Sequence, residues 1–340
     1  MTGADTTKPL RFGVIGLGVG EQHAEAIAAN QSCRLAAICD RDAGKLAEVS
    51  VRYPKARSLS VDSDLLDDPE VDAVCIASYD DEHFSQTMRA LDRGKHVFVE
   101  KPFVLQEQEA RAVRERLRSR PGVHLSSNLV LRASPRFVDL RRRIEAGELG
   151  RLYCLEADYN YGRLHKITTG WRGNLGFYSA VHGGGVHVVD LLMWLARDRI
   201  SEVSAVGNAI ASEGSGFGNF DMVIAAVRFA SGAVGKIGVN FGCVYPHFHR
   251  VSVYGTAASF ENERGPARLY TSRDPLAPAT ALDSSYPGTH KGALIASFVD
   301  AILGRGHAEV DEEDVFASMS VCFAIERSAH EGSPVRVEYL

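Results

Sequence analysis

Residues 12–40 contain, in order, a strand pattern, a glycine-rich turn, a helix pattern and a second strand that ends on a carboxylate. These parts are the apolar run Phe12–Ile15, the glycines Gly16, Gly18 and Gly20, the alanine-rich stretch His23–Asn30, the apolar run Leu35–Cys39, and Asp40. This is the order of a βαβ unit that binds a dinucleotide. An ordinary βαβ unit with a glycine turn is the alternative, and the flanking strands, helix and acid together favour the nucleotide site.

Each position of the glycine turn has its own role in binding a dinucleotide. Gly16 allows the tight turn, and Gly18 lets the backbone approach a pyrophosphate, with Val19 next to it. The start of the helix offers free N–H groups and a partial positive charge to the phosphates. Glu21 stands where a third glycine or alanine is usual, and Gly20 lies one residue earlier. We therefore expect a turn one residue shorter than the common form.

The carboxylate at the end of the second strand predicts the cofactor. Asp40 lies close to the offset of about 20 residues expected for the acid that binds the ribose hydroxyls of adenosine. It would repel the 2′-phosphate of NADP, and the adjacent Arg41 would partly offset that repulsion. The sequence therefore predicts NAD and leaves NADP open.

Length and composition predict a globular protein of two domains. The chain has 340 residues, of which 45% are hydrophobic and 24% charged. No apolar run approaches the roughly 18 residues of a membrane helix, and Met1–Leu10 lacks the apolar core of a secretory signal. Because the net charge is −5 and no long basic stretch exists, we expect no nucleic acid partner. The six cysteines lack paired spacing, which predicts reduced thiols in a cytoplasmic protein.

The order of strand and helix patterns divides the chain near residue 127. Up to that point strands and helices alternate, which predicts a doubly wound parallel α/β sheet, a Rossmann domain over residues 1–127. Residues 128–340 predict an α+β domain whose largely antiparallel sheet has one covered face. The strands predicted there are 152–161, 222–229, 234–241, 250–254 and 335–339, and the helices are 135–146, 184–196, 291–303 and 312–331.

A lysine follows one of the predicted parallel strands directly. Glu100-Lys101-Pro102 comes immediately after the strand His96–Val99. Ligands of an open parallel sheet bind beyond the carboxyl ends of its strands. A lysine at such an end can donate to a substrate oxygen and stabilise negative charge that develops there. A surface lysine before a turn proline is the alternative, and position alone does not decide between the two.

A second cluster, His182 to Asp190, places two histidines, three glycines and an aspartate at the start of a predicted helix. His187 is a residue type suited to moving a proton at neutral pH, and Asp190 shares its helix face and can orient the ring. A buried core histidine is the alternative for His187. His182 and His187 are five residues apart, which is not a zinc spacing, so no metal site is predicted.

Aromatic residues and one arginine precede this cluster, and they are Tyr159, Tyr161, Trp171, Arg172 and Tyr178. Such a set suits a polyhydroxylated ligand, because rings pack on C–H faces while polar tips bond hydroxyls. Ordinary aromatic packing is the simpler interpretation from sequence alone.

Together these motifs resemble those of the Gfo/Idh/MocA family, the glucose–fructose oxidoreductase and inositol dehydrogenase-like enzymes, over nearly the whole chain. The matching segments are the glycine turn with His23, Asp40, Val71–Val74 leading to His83, Gly94–Val97 with Glu100-Lys101-Pro102, and Gly184–Leu192. The resemblance implies that Lys101 and His187 act at a substrate hydroxyl. It assigns Ser78, His83, Glu100 and Lys101 to cofactor binding. It also implies that a large open C-terminal sheet joins subunits into a homodimer or homotetramer.

The chain departs from the family pattern at one position. Many of these dehydrogenases carry an aspartate four residues before the histidine, and here that position is Gly183. Glycine has no side chain for acid–base work. Two replacements stay open: His182 takes over the task, or Lys101 and His187 handle the substrate hydroxyl alone.

The resulting prediction is an NAD(H)-dependent oxidoreductase that transfers a hydride between the nicotinamide and a secondary hydroxyl or ketone of a sugar, cyclitol or derivative. The predicted substrate-binding residues are Lys101, Tyr159, Trp171, Arg172, Tyr178, His182 and His187. Two alternatives keep the fold. One is a redox-cycling enzyme that cleaves a glycosidic bond without net NADH, and the other is a non-catalytic, dinucleotide-binding regulator.

Overall fold

The computed structural model describes residues 8–340, which divide into two compact units. The first holds the chain up to Val130 together with His290–Phe316 and Leu340, and the second holds Leu131–Thr289 with Ala317–Tyr339. The sequence places residues 290–316 with the second domain, whereas in the structure they pack within the first unit. The segment Met1–Leu10 was predicted not to be a secretory signal, and its residues 1–7 lie outside the described residues.

Strands and helices are numbered separately in chain order. The strands are β1 (Leu10–Ile15), β2 (Cys33–Cys39), β3 (Arg57–Leu59), β4 (Ala73–Ile76), β5 (His96–Val99), β6 (Leu125–Ser127), β7 (Leu152–Asn160), β8 (Ile200–Asn208), β9 (Met222–Phe229), β10 (Val234–Asn240), β11 (Phe248–Gly255), β12 (Ser259–Asn262), β13 (Ala267–Tyr270), β14 (Thr280–Leu282) and β15 (Val335–Arg336). The α-helices are α1 (Gly20–Ala29), α2 (Ala43–Arg52), α3 (Asp62–Leu66), α4 (His83–Asp92), α5 (Glu107–Arg118), α6 (Pro135–Glu145), α7 (His165–Thr168), α8 (Val186–Ala196), α9 (Ile295–Ile302) and α10 (Glu312–Glu331). Short 3₁₀ turns span Val130–Ala133 and Trp171–Asn174, and a π-helical turn spans Val181–Gly185.

The first unit is built on a six-stranded parallel sheet in the order β3-β2-β1-β4-β5-β6. All four residues of β4 are buried, as expected for a parallel strand covered on both faces. The strand order reverses between β1 and β4, and a doubly wound sheet binds its ligand at such a point. The predicted Rossmann fold is therefore confirmed, and the residues assigned to the cofactor lie just beyond the carboxyl ends of its strands.

Residues 290–316, the returning segment, complete the first unit. A Cβ on Gly292 would lie 2.5 Å from the Cβ of Ala26, so the glycine lets this segment lie directly against α1. Phe298 of α9 packs on Phe98 of β5, with 5.6 Å between the ring centroids. The segment therefore covers the central strands from the side on which α1 lies.

The second unit is built on a nine-stranded sheet in the order β14-β13-β12-β11-β7-β10-β9-β8-β15. Only β7 and β10 pair in parallel, so the predicted, mostly antiparallel sheet is confirmed. Residues along β9 alternate between buried and exposed, which gives the sheet one covered and one open face. Within residues 8–340, no helix has both the length and the apolar character needed to cross a membrane.

Several predicted bounds need correction. The helix predicted from Gly184 begins earlier, because a π-helical turn over Val181–Gly185 runs directly into α8. The helix predicted over 291–303 is shorter, at Ile295–Ile302, and the last predicted strand is reduced to Val335–Arg336. α2 has no counterpart among the predicted elements, although Asp42 caps it by accepting hydrogen bonds from the N–H groups of its first turn.

Candidate active site

The three glycines after β1 have three different environments. Gly16 has a φ of +81°, and a Cβ there would overlap the carbonyl group of Ala77, so only glycine fits this turn. Gly20 begins α1, and a Cβ there would lie 3.0 Å from Val14 and 3.1 Å from Ala77. Gly20 thus lets the helix pack closely on the sheet, which is the role of the third glycine in the common form. This agrees with the expected turn that is one residue shorter. Gly18 has no neighbouring atom within 4 Å of where its Cβ would be, so the loop leaves room for a ligand there.

Asp40 is bonded to the glycine loop itself. Its Oδ2 accepts a hydrogen bond of 2.7 Å from the backbone N–H of Leu17, and its Oδ1 accepts one of 2.9 Å from the N–H of Asp42. The carboxylate that was predicted to bind the ribose is therefore fixed beside the glycine turn. Arg41 is exposed, with its guanidinium carbon 4.9 Å from the ring centroid of Tyr79.

The loop after β4 is fixed by a buried histidine. His83 is fully buried at the start of α4. Its Nδ1 lies 2.7 Å from the carbonyl oxygen of Pro102, and its Nε2 lies 3.3 Å from that of Ser78. His83 thus joins the loops that follow β4 and β5. The hydroxyl of Ser78 donates to Gln86 at 2.7 Å, so both predicted cofactor residues take part in fixing this strand end.

Lys101 directly follows Glu100, a buried carboxylate with several hydrogen-bond partners. Glu100 accepts a hydrogen bond of 2.6 Å from Asn128, and the same oxygen lies 3.1 Å from Nε2 of His23. Burial alone would raise the pKa of Glu100, but the hydrogen bond from His23 and the positive charges of Lys291 and Lys101 hold that pKa well below its usual range. Glu100 therefore stays a carboxylate, and it ties the end of β5 to α1. Lys101 is half-buried, and its backbone N–H lies 3.3 Å from the second oxygen of Glu100.

His187 lies in an aromatic wall of the second unit. It is 5% exposed, and its ring stacks on Tyr159 of β7 at a centroid distance of 6.1 Å. The ring of His249 is nearly perpendicular to it, with 6.4 Å between the ring centroids. His182, on the π-helical turn, packs against a different ring, that of Phe323, at 5.1 Å and nearly perpendicular.

A buried ion pair anchors α8. Asp190 is fully buried, and its two oxygens accept hydrogen bonds of 3.0 and 2.6 Å from Nε and a terminal nitrogen of Arg132. Ser318 of α10 also donates to it, at 3.2 Å. The hypothesis that Asp190 orients His187 stays a prediction. What the structure adds is that this carboxylate binds α8 to Arg132, a partner that the sequence did not indicate.

The glycines before α8 serve the packing of this helix on the sheet. A Cβ on Gly184 would lie 2.5 Å from the ring of Tyr159, and one on Gly185 would lie 2.7 Å from Val239. These two glycines therefore admit side chains of β7 and β10. The other predicted pocket residues cluster nearby, with the Arg172 guanidinium 4.2 Å from the ring of Trp171.

Two family models match this chain, one for each unit. Residues 10–128 match the family model described as the oxidoreductase family with an NAD-binding Rossmann fold. Residues 137–261 match the model of the GFO/IDH/MocA C-terminal domain. This chain belongs to the GFO/IDH/MocA family. The Rossmann unit is accordingly NAD-binding, and the family resemblance of the sequence is confirmed.

Characterised relatives and a solved structure extend the comparison. The chain is 28% identical over 266 residues to the scyllo-inositol 2-dehydrogenase (NAD(+)) of Bacillus subtilis (strain 168), covering 74% of this chain and 72% of that protein. It is 28% identical over 254 residues to the myo-inositol 2-dehydrogenase of Thermotoga maritima (strain ATCC 43589 / DSM 3109 / JCM 10099 / NBRC 100826 / MSB8), covering 73% of each. A levoglucosan dehydrogenase solved in complex with NADH superposes with a TM-score of 0.86 at 22% identity, over 98% of this chain and 100% of that one, and shows the shared fold.

The residues of the Rossmann unit fit NAD. The open space at Gly18 and the N-terminus of α1, which has no side-chain cap, suit a pyrophosphate, and Asp40 is fixed at the edge of the same loop. Gly16, Gly18, Val19, Gly20 and Asp40 are the residues that would hold the cofactor, and Arg41, Ser78, His83, Glu100 and Lys101 remain predicted contributors. Among residues 8–340, no group of three or more histidine, cysteine, aspartate or glutamate side chains is placed to hold a metal ion.

Gly18→Ala is expected to weaken NADH binding by about tenfold, because a methyl group would hold the backbone away from the pyrophosphate. The melting temperature should hardly change, since nothing lies within 4 Å of the added Cβ. Fluorescence titration with NADH and a thermal melt measure the two effects. Gly265→Ala, which also adds a Cβ in open space, is the matched control. Unchanged NADH affinity in Gly18→Ala would contradict the assignment of this loop.

Proposed function

We propose that this family member is a dehydrogenase or reductase that acts on a secondary hydroxyl or ketone of a sugar, a cyclitol or a derivative of one. Bound NAD supplies the hydride acceptor, and NADH the donor, for this chemistry. The observation that carries the proposal is the place of Lys101 at the carboxyl end of β5, directly after Glu100, whose carboxylate is held by His23 and Asn128 and lies 3.3 Å from the backbone N–H of Lys101. A buried carboxylate of this kind, kept ionised by its neighbours, is a costly arrangement to maintain without a function at the strand end.

In oxidation, His187 would accept the proton of the substrate hydroxyl as general base. The ammonium group of Lys101 would stabilise the negative charge that develops on the substrate oxygen. In reduction His187 returns the proton to that oxygen. The stacking of His187 on Tyr159 supports this role, because it fixes the plane of the imidazole. Asp190 is proposed to contribute by holding α8, and hence His187, in place.

The substrate class rests on both the site and the relatives. Two relatives are named as inositol dehydrogenases, and the structural neighbour as a levoglucosan dehydrogenase. All three names refer to compounds rich in hydroxyl groups on a ring. In this chain the rings of Tyr159, Trp171 and Tyr178 and the guanidinium of Arg172 supply apolar faces with polar tips, which suit such compounds.

We expect NADH to bind at least tenfold more tightly than NADPH. Asp40 is fixed beside the glycine loop and would repel a 2′-phosphate, an effect worth about 1.4 kcal/mol for each factor of ten. Arg41 lies over Tyr79 and would offset part of that repulsion. Titration of the protein with each reduced cofactor measures the ratio, and Asp40→Ala should bring the two affinities closer. Tighter binding of NADPH by the unchanged protein would contradict the preference.

The function is tested by absorbance at 340 nm with NAD and a panel of sugars and cyclitols, and with NADH and their keto forms. Formation of NADH with one group of polyols would support the proposal and name the substrate class. Silence across the panel, in protein that binds NADH, would contradict it. Mass spectrometry of the products would then distinguish a redox-cycling enzyme, which releases a free sugar, from a regulator, which changes nothing.

We also propose a cytoplasmic homodimer or homotetramer that assembles through the open face of the second unit's sheet. Val206 of β8 and Ile224 of β9 lie opposite each other in register and are 69% and 43% exposed. Adjacent exposed apolar side chains on an open sheet face support an interface there. All six cysteines lack a disulfide, which supports a reducing compartment. Sedimentation velocity would measure the number of subunits.

A further inference from the structure

Gly183 lacks a side chain because a tyrosine hydroxyl takes its place. A Cβ on Gly183 would overlap the hydroxyl oxygen of Tyr178 and lie 2.5 Å from the ring carbon that carries it. Tyr178 is 2% exposed, so the side chain is held in this position by its surroundings. Gly183 has no positive φ that would call for glycine, so the backbone gives no other reason for this residue type. The glycine and the tyrosine are therefore matched to each other.

The Tyr178 hydroxyl lies on the helix face that carries His187. Gly183 lies four residues before His187, in the π-helical turn that continues as α8. Residues four apart lie close to one face both on an α-helix and on a π-helical turn, whose hydrogen bonds join residues five apart. A group at the Cβ position of residue 183 therefore lies on the face that carries the imidazole. The Tyr178 hydroxyl occupies the place that a side chain at 183 would have next to His187.

The neighbours of Tyr178 belong to the same cluster. The guanidinium carbon of Arg172 lies 5.6 Å from the centroid of the Tyr178 ring. Burial raises the pKa of Tyr159 well above its usual value, and the nearby hydroxyls of Tyr161 and Tyr178 raise it further. Tyr159 in turn stacks on His187. Tyr159, Tyr178 and His187 therefore form one group of polar tips on an aromatic wall.

We propose that the Tyr178 hydroxyl does the work of the side chain that Gly183 lacks, by hydrogen bonding to the reacting hydroxyl of the substrate and orienting its proton toward His187. A phenol can donate and accept a hydrogen bond at once, which suits contact with a hydroxyl in one direction and a ketone in the other. Because the phenol stays neutral in this role, His187 alone receives the proton. This inference rests on the proposed function, and it answers the question that the missing aspartate left open with neither of the two replacements considered from sequence.

The first test is Tyr178→Phe, which removes the hydroxyl and keeps the ring. We expect kcat on the substrate identified by the panel to fall by about 100-fold, because an oriented hydrogen bond to the reacting group is lost. The dissociation constant of NADH and the thermal melt should stay unchanged, and KM should change much less than kcat. Tyr153→Phe, at a half-exposed tyrosine of β7, is the control for the substitution itself. Wild-type kcat and KM in Tyr178→Phe would overturn the inference.

A second test uses the match between the two residues. Gly183→Ala should lower activity strongly because its Cβ displaces the hydroxyl, whereas Gly176→Ala, which adds a Cβ in open space, should not. Tyr178→Ala combined with Gly183→Asp places a carboxylate where the phenol was, and it should be more active than Tyr178→Ala alone. The double variant should also add an ionisation to the pH profile of kcat/KM that the wild type lacks, which a purely structural role for Tyr178 would not produce. Equal activity of Tyr178→Ala and the double variant would overturn the inference.

The outcomes separate this inference from the proposed function. A wild-type protein that turns over a polyol, together with a fully active Tyr178→Phe, rejects only the role of Tyr178. A wild-type protein that neither turns over any member of the panel nor binds myo-inositol in the presence of NAD, as measured by calorimetry, rejects both.

Discussion

Lys101→Ala is expected to lower kcat by about 1,000-fold while the dissociation constant of NADH stays nearly unchanged. The lysine ammonium would face the substrate oxygen, where negative charge develops during the reaction, so its removal raises the barrier of that step. The residues of the glycine loop and Asp40, which would hold the rest of the cofactor, are untouched by the change. Steady-state kinetics and an NADH titration on the same preparation measure both quantities.

Lys55→Ala provides the matched control for this prediction. Lys55 is an exposed lysine of the same unit, so its replacement removes the same charge and the same chain length from the surface. It should leave kcat, KM and NADH affinity as they are in the wild type. Turnover close to the wild type in Lys101→Ala would show that the lysine is only a surface residue before a turn proline, which is the alternative that the sequence left open.

The position of Lys101 depends on residues far from it in sequence. Glu100 is held by His23 of α1 and by Asn128 just after β6, and Lys291 of the returning segment adds positive charge near it. The strand that precedes Lys101 could be predicted from the three apolar residues Val97–Val99, which come directly before the polar Glu100. The contacts of Glu100 could not, since they join parts of the chain that only the three-dimensional sheet order brings together.

The same distinction explains what the sequence predicted of the fold. The βαβ unit from β1 to Asp40 is local, and each of its signals lies within the segment that it describes, so the sequence predicted it well. The return of residues 290–316 to the first unit is not local. Its helix pattern does not say which unit it joins, and in the structure Gly292 lies against Ala26 while Phe298 packs on Phe98. Hydrophobic periodicity reports that a helix face is buried and does not report which surface covers it.

The cluster around His187 was predicted in part for the same reason. The residue types and the spacing in Gly183–Asp190 indicated a functional helix start. The sequence did not show the π-helical turn, whose hydrogen bonds join residues five apart. Nor did it show that the Tyr178 hydroxyl overlaps the position of a Cβ on Gly183. A signal was nevertheless present, because a largely apolar helix preceded by three glycines indicates that another group packs against that backbone.

Asp190→Asn is expected to destabilise the second unit by about 3–5 kcal/mol. Asp190 and Arg132 are 0% and 6% exposed, so the change leaves a buried guanidinium facing a neutral amide. The carboxylate offsets the loss of water around Arg132, and an amide oxygen cannot replace two charged acceptors. Both tryptophans of the chain, Trp171 and Trp194, belong to the second unit, so tryptophan fluorescence during urea unfolding reports on this unit alone.

The ion pairs of Asp139, which lie at the surface, are the control for the expected loss of stability in Asp190→Asn. Asp139 also accepts hydrogen bonds from two arginines, at 2.9 Å from each, but the pairs lie along α6, where their side chains reach solvent. Asp139→Asn should therefore cost less than about 1 kcal/mol, because water solvates the arginines when the carboxylate is gone. Replacing both buried partners, as in Arg132→Met with Asp190→Leu, should recover much of the loss, since no unpaired charge then remains. Equal losses in Asp190→Asn and Asp139→Asn would contradict the view that the buried pair holds α8, and with it His187, in place.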